Sequence, residues 1–227
     1  MPLQACVDLL FQHVDQNYKK FTIKFAPSFY PNDISTYLQA ALLKINNGIV
    51  VEDCNQSMLI PADIDVVDNF SRTNRRIYRR LKGKGYRVSN VKYLTREAYD
   101  LLEENRQNRN VSLSLSYDDL VVQAQYLKNE FHFFECRDQQ EVLCAFAVTL
   151  SMSSEWLYVF YWGERGSHRQ NSPVVLLAAE IMRYCQRHSI KRLDAGTSSV
   201  SGIIDQNLFD FKRRLGFVPS PKITVLG

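Results

Sequence analysis

Residues 171–196 read NSPVVLLAAEIMRYCQRHSIKRLDAG, a helix with both of its ends and the strand after it. Ser172 stands where an N-cap belongs, and Pro173 takes the first helical position, where a missing N–H costs nothing. Val174, Leu177, Ala178, Ile181 and Cys185 recur at helical spacing and form one apolar stripe. His188 falls in the last turn, where positive charge suits the helix dipole, and IKRLDAG (190–196) then reads as a strand.

Upstream, FHFFECR (131–137) and EVLCAFAVTLS (141–151) are joined through DQQ as a hairpin, and WLYVFYW (156–162) adds a third strand. These strands are apolar on both faces, so the sheet they form must be covered on both sides. Downstream, NLFDFKRRLG (207–216) is a short helix stopped by Gly216, and KITVL (222–226) is a last strand. The order β-β-β-α-β-α-β predicts an α/β fold with helices on a sheet.

The first half is less regular. Val7, Leu10 and Val14 share one face of a helix over 3–16, and FTIKFAP (21–27) is a short strand ended by Pro27. A helix is expected from about 32 to 46, closed by Asn46-Asn47-Gly48, with IVVEDCNQSMLIP (49–61) extended after it. Ser71 can cap a helix that Gly83 ends; further helices are expected from Thr95 to about 108 and over 120–128. No repeat or linker separates the pieces.

Charge is unevenly distributed. The chain has 227 residues with 28 Lys or Arg and 24 Asp or Glu, and ten of the basic residues lie between Arg72 and Arg96, where there is no acid. Without that segment 18 basic residues face 24 acidic ones, so the net charge of +4 is made there. Ile77 and Leu81 can anchor the helix FSRTNRRIYRRLKGKGYR (70–87), which leaves a solvated basic face as the simplest reading. Yet Arg72, Arg75 and Arg76 oppose the helix dipole at a cost of roughly 0.3 to 1 kcal/mol each. That placement points to an anionic ligand for Arg75, Arg76 and Arg79.

The five cysteines (6, 54, 136, 144 and 185) show no CxxC and no Cys/His pair at metal-ligand spacing, as befits reduced core residues of a cytoplasmic protein. His132 and His168 lack a second ligand at suitable spacing, so no metal is expected. No apolar run approaches the ~18 residues a membrane span needs, which leaves peripheral contact as the membrane role still open. Neither GxSxG, a P-loop nor a dinucleotide fingerprint is present.

The basic helix with its following Gly and strand, YLTREAYDLLEENRQNR (93–109), the quoted 171–196 segment and LFDFKRRLGF (208–217) together resemble the GCN5-related N-acyltransferase (GNAT) fold. They are most similar to its FemAB-like branch, including bacterial BioF2-like domains, over roughly residues 20 to 220. The resemblance implies a GNAT-like mixed sheet flanked by helices (121–227), preceded by a partial second GNAT-like half carrying the basic helix (1–120). Two departures are visible. The first half lacks opening strands usual in the branch, and ERGSHRQNSP (164–173) stands where acetyl-CoA-dependent members carry a Gly-rich loop.

The resemblance implies transfer of an acyl group from a thioester, acyl-CoA, to an amine of a phosphorylated, lipid-linked or polysaccharide envelope precursor. Aminoacyl transfer from charged tRNA is the alternative within the branch, and a silent anion-binding module the alternative outside it. Lys212 matches the lysine of the branch's Phe-Lys motif, implied to bind phosphate or stabilise transition-state charge. The N-terminus at Ser172, with Arg165, His168 and Arg169 ahead of it, reads equally as a pyrophosphate site and as a solvated loop. Asp194 and Thr197 lie at a strand end, where they bind an acceptor or cap the turn. Glu135 and Tyr161 are candidate proton acceptors on strands near the expected cleft, with a solvent-facing carboxylate and a core or cleft-wall ring as the competing readings.

Overall fold

The structure, a computed structural model, describes residues 5, 9, 12, 13, 22–27, 29, 30, 49–108 and 111–226. The helix expected over 32–46 lies outside them, as does most of the one expected over 3–16. Two compact units result, one of Ser57–Gly196 with Phe211–Phe217 and a smaller one of Met1–Gln56, Thr197–Asp210 and Val218–Gly227.

In the larger unit β3 (Arg87–Val91), β4 (Phe131–Arg137), β5 (Leu143–Ser153), β6 (Trp156–Glu164) and β7 (Arg192–Thr197) lie in that order, antiparallel until β7 pairs parallel with β6. The DQQ hairpin and the third strand are thus where the apolar runs and the turn placed them. Helices α1 (Arg72–Gly83), α2 (Arg96–Gln107), α3 (Tyr117–Tyr126) and α4 (Pro173–Arg187) cover the faces. One apolar cluster joins α4 and Leu81 of α1 to Cys144, Leu157, Val159 and Leu193; the other joins α2 and α3 to Phe133, Phe146 and Tyr161.

β6 carries a bulge that decides which face Tyr161 takes. Val148 pairs with Tyr161 but Thr149 with Val159, so Phe160 is an extra residue and the alternation reverses across it. Leu157 and Val159 therefore face α4, whereas Tyr161 faces α2.

Each of α1, α2 and α3 is closed at its start by the side chain of Ser71, Thr95 or Ser116, which accepts from a backbone N–H three residues on. α4 begins otherwise. Ser172 is left-handed (φ 53°) and makes no side-chain cap bond, while Pro173 holds the expected first position. The Glu164 Oε2 instead accepts from the Val174 N–H at 3.4 Å.

The smaller unit has β1 (Thr22–Lys24) antiparallel to β10 (Val218–Leu226), with β2 (Ile49–Leu59) beside β10 up to Gln56. A tight β8 (Ser199–Val200) and β9 (Ile203–Ile204) hairpin, unforeseen in the sequence, hangs on polar bonds. The Ser199 hydroxyl donates to Asp53 Oδ1 at 2.6 Å, and that of Ser198 to Gln56 Oε1 at 2.6 Å. The last helix, α5 (Gln206–Arg214), ends in the larger unit with Phe211 onward.

Candidate active site

β6 and β7 are hydrogen-bond partners over three pairs only, Trp156–Arg192, Leu157–Leu193 and Tyr158–Asp194. β6 runs on to Glu164 and β7 past Gly196, so the two parallel strands part beyond Tyr158 and Asp194. Parting strands leave backbone donors and acceptors unpaired by the sheet, and groups that need partners collect there.

Lys212 is one of them. It is 1% exposed, and its Nζ donates to the Gly196 carbonyl oxygen at 2.9 Å. A lysine is almost never so buried without a partner or a task. Phe211 beside it packs edge-on against Trp162, with centroids 5.6 Å apart, which fixes this end of α5. Gly196 is itself left-handed (φ 72°), and a Cβ there would meet the Tyr158 ring at 3.4 Å. Asp194, 3% exposed, accepts from the Gly196 N–H at 2.8 Å and so holds the turn that presents the carbonyl. Burial, with the Asp194 carboxylate second, pushes the Tyr158 hydroxyl up to about 12, so it stays a proton donor at neutral pH.

A basic surface adjoins this centre. The Arg214 carbonyl accepts from the Ser71 N–H at 2.8 Å and from the Asn74 side-chain amide at 3.2 Å, docking the start of α1 on the end of α5. Arg72, Arg75, Arg76 and Arg79 lie along this docked helix, and Arg213 and Arg214 are exposed at the end of α5. None of those four α1 arginines forms an ion pair among the described residues. The far end of α1 differs, because Lys82 reaches Glu180 at 3.7 Å and the Arg80 guanidinium donates to the Asn171 carbonyl at 3.2 Å.

No family model matches the sequence, and no curated protein matches it. Solved structures do. The crystal structure of FemX aligns over 98% of this chain and 76% of its own at 13% identity, with a TM-score of 0.69. The C-terminal domain of a putative lysylphosphatidylglycerol synthetase from Agrobacterium fabrum aligns over 97% and 72% at 11% identity and 0.66. A tandem GNAT protein from the clavulanic acid biosynthesis pathway aligns over 97% and 66% at 13% identity and 0.53.

The chain has a FemAB-like GNAT fold. At these identities the likeness is one of fold. The parted β6 and β7, with α4 between them in sequence, are where Asp194 and Lys212, both buried, meet the Gly196 backbone.

Among the residues singled out in the sequence, the structure brings Lys212 and Asp194 together, with Asp194 capping its turn. Thr197 belongs to the smaller unit. Glu135 lies on β4 in a two-point ion pair with Arg137, both contacts at 3.1 Å. Tyr161 is a core ring, 4% exposed, whose hydroxyl accepts from the Ser114 N–H at 3.0 Å; the bulge turned it away from the α4 face.

The loop ahead of α4 is committed internally. Arg165 donates to the Leu143 carbonyl at 2.9 Å and meets Glu97 at 3.0 Å, and His168 Nε2 lies 3.3 Å from Asp138. Arg169 is exposed, with its side chain making no hydrogen bond among the described residues. A carboxylate, Glu164, already faces the first turn of α4, where a pyrophosphate would have to bind. Sequence reasoning missed Tyr158, since WLYVFYW offers five aromatic rings and no periodicity that separates one from another.

Proposed function

We propose that the protein is an aminoacyltransferase that moves an amino acid from its ester on RNA to an amine of a cell-envelope precursor. The observation that carries this reading is Lys212, buried and held on the Gly196 carbonyl where β6 and β7 part. The incoming amine attacks the ester carbonyl, the new C–N bond forms and the C–O bond breaks. The amine's proton passes to the leaving ribose oxygen. A lysine ammonium aimed at the developing oxyanion supplies the charge stabilisation, and a protonated Tyr158 can deliver the proton.

The donor differs from the acyl-CoA of the sequence expectation. Glu164 at the start of α4 repels a pyrophosphate, whereas six arginines around the α1–α5 junction suit a polyanion. The acceptor rests on the resemblance to the FemAB-like branch.

Charge reversal tests the donor. Arg75→Glu/Arg76→Glu should weaken binding of aminoacyl-tRNA and flatten the slope of log K against log salt by about 2, measured by filter binding. An unchanged slope would remove the RNA donor, and a wild-type slope near zero would do the same.

A further inference from the structure

We propose that Asp138, Cys144 and His168 form a zinc site that ties the segment ahead of α4 to the β4–β5 hairpin. The three residues come from separate places: the turn after β4, the start of β5, and the 3-10 turn Gly166–Asn171. Their ligand atoms nevertheless lie within 4.8 Å of one another.

The arrangement is held in place around the ligands. Asp138 Oδ1 accepts the backbone N–H groups of Gln140 and Val142, both at 3.0 Å, which presents Oδ2 to His168. His168 Nδ1 lies 3.1 Å from the Ser167 hydroxyl, leaving Nε2 to face Asp138 Oδ2 at 3.3 Å. Orienting partners on the far side of each ligand are what metal sites require. Cys144 is fully buried, with its Sγ 3.1 Å from the Val142 carbonyl oxygen.

One thiolate, one imidazole and one carboxylate make a borderline-soft set that suits zinc better than calcium or magnesium. With Zn–N and Zn–O near 2.0–2.2 Å and Zn–S near 2.3 Å, tetrahedral ligand atoms stand about 3.3–3.6 Å apart. The imidazole–carboxylate edge already has that length. The widest edge must close by at most about 1.2–1.5 Å, and His168, on a short 3-10 turn with exposed neighbours, is placed to move. Zinc replaces the Cys144 thiol proton, which leaves to solvent, and a water fills the fourth position. This departs from the absence of metal expected from the sequence, where intervals of six and 24 residues between the ligands carry no motif.

The test uses the full chain, stripped with chelator. Zinc is titrated in by calorimetry and thermal melting, and cobalt serves as the spectroscopic probe. The expected result is one zinc per chain at micromolar affinity or tighter, a melting midpoint that rises with zinc, and a thiolate-to-cobalt charge-transfer band. Cys144→Ser removes the band, and Cys144→Ser or His168→Gln weakens zinc binding at least about 100-fold. No saturable zinc binding, no thiolate band in the wild type, or binding indifferent to both substitutions would each overturn the proposal. The wild-type cobalt spectrum decides the matter even where a variant does not fold.

Discussion

Replacing Lys212 with methionine lowers the rate of aminoacyl transfer by about 10²- to 10³-fold, the usual loss when one preorganised donor to an oxyanion is removed. Methionine keeps most of the length and volume of the side chain, so the packing around Phe211 and Trp162 survives while the Nζ bond to the Gly196 carbonyl is lost. The orphaned carbonyl costs about 1–3 kcal/mol of stability, which circular dichroism and melting report separately from rate. The loss should appear in kcat at saturating donor with KM for the proposed RNA donor little changed, because the proposal places its binding on the α1 arginines rather than on Lys212. Activity within threefold of wild type in a folded Lys212→Met protein would make the buried lysine a structural residue.

Leu177→Ala destabilises the fold by about 2–5 kcal/mol, read as a lower urea midpoint. Leu177 is 0% exposed in the cluster that joins α4 to the sheet, alongside Leu157, Val159 and Leu193. Its removal leaves a cavity that surrounding strands cannot close, since packed interiors relax only in part. Against a total of roughly 5–15 kcal/mol, one such cavity takes a large share. Val122→Ala, at a side chain 47% exposed on α3, is the control and should stay within about 0.5 kcal/mol. Equal effects at the two positions would contradict the assignment of the core.

The elements that local chemistry writes were legible in the sequence. α4 announced itself through Pro173 and an apolar stripe from Val174 to Cys185, and the β4–β5 hairpin through its two apolar runs and the turn between them. Capping by Ser71 and Thr95 follows the same local rule. What escaped depended on long-range register. The extra residue at Phe160 decides which face Tyr161 takes, and nothing in WLYVFYW marks it. Glu135 is two residues from Arg137, yet only a strand conformation brings the two groups together on one face. Ser172 occupies the cap position without capping, because its left-handed backbone turns the hydroxyl toward the Arg169 carbonyl. Lys212 was legible only through resemblance; its burial comes from Gly196, sixteen residues upstream. Asp138, Cys144 and His168 meet only once three separate elements are packed.

The measurement that bears most directly on the transfer centre is an isotope assay. tRNA charged with a labelled amino acid is incubated with the protein and a bacterial envelope-precursor extract, and base-stable amide product is counted, beside a parallel reaction supplied with labelled acetyl-CoA. The expected result is amide product from the charged tRNA that depends on Lys212 and diminishes with Arg75→Glu/Arg76→Glu. Lys212-dependent product from acetyl-CoA alone would contradict the RNA donor, and no product from either donor would contradict the transfer centre itself.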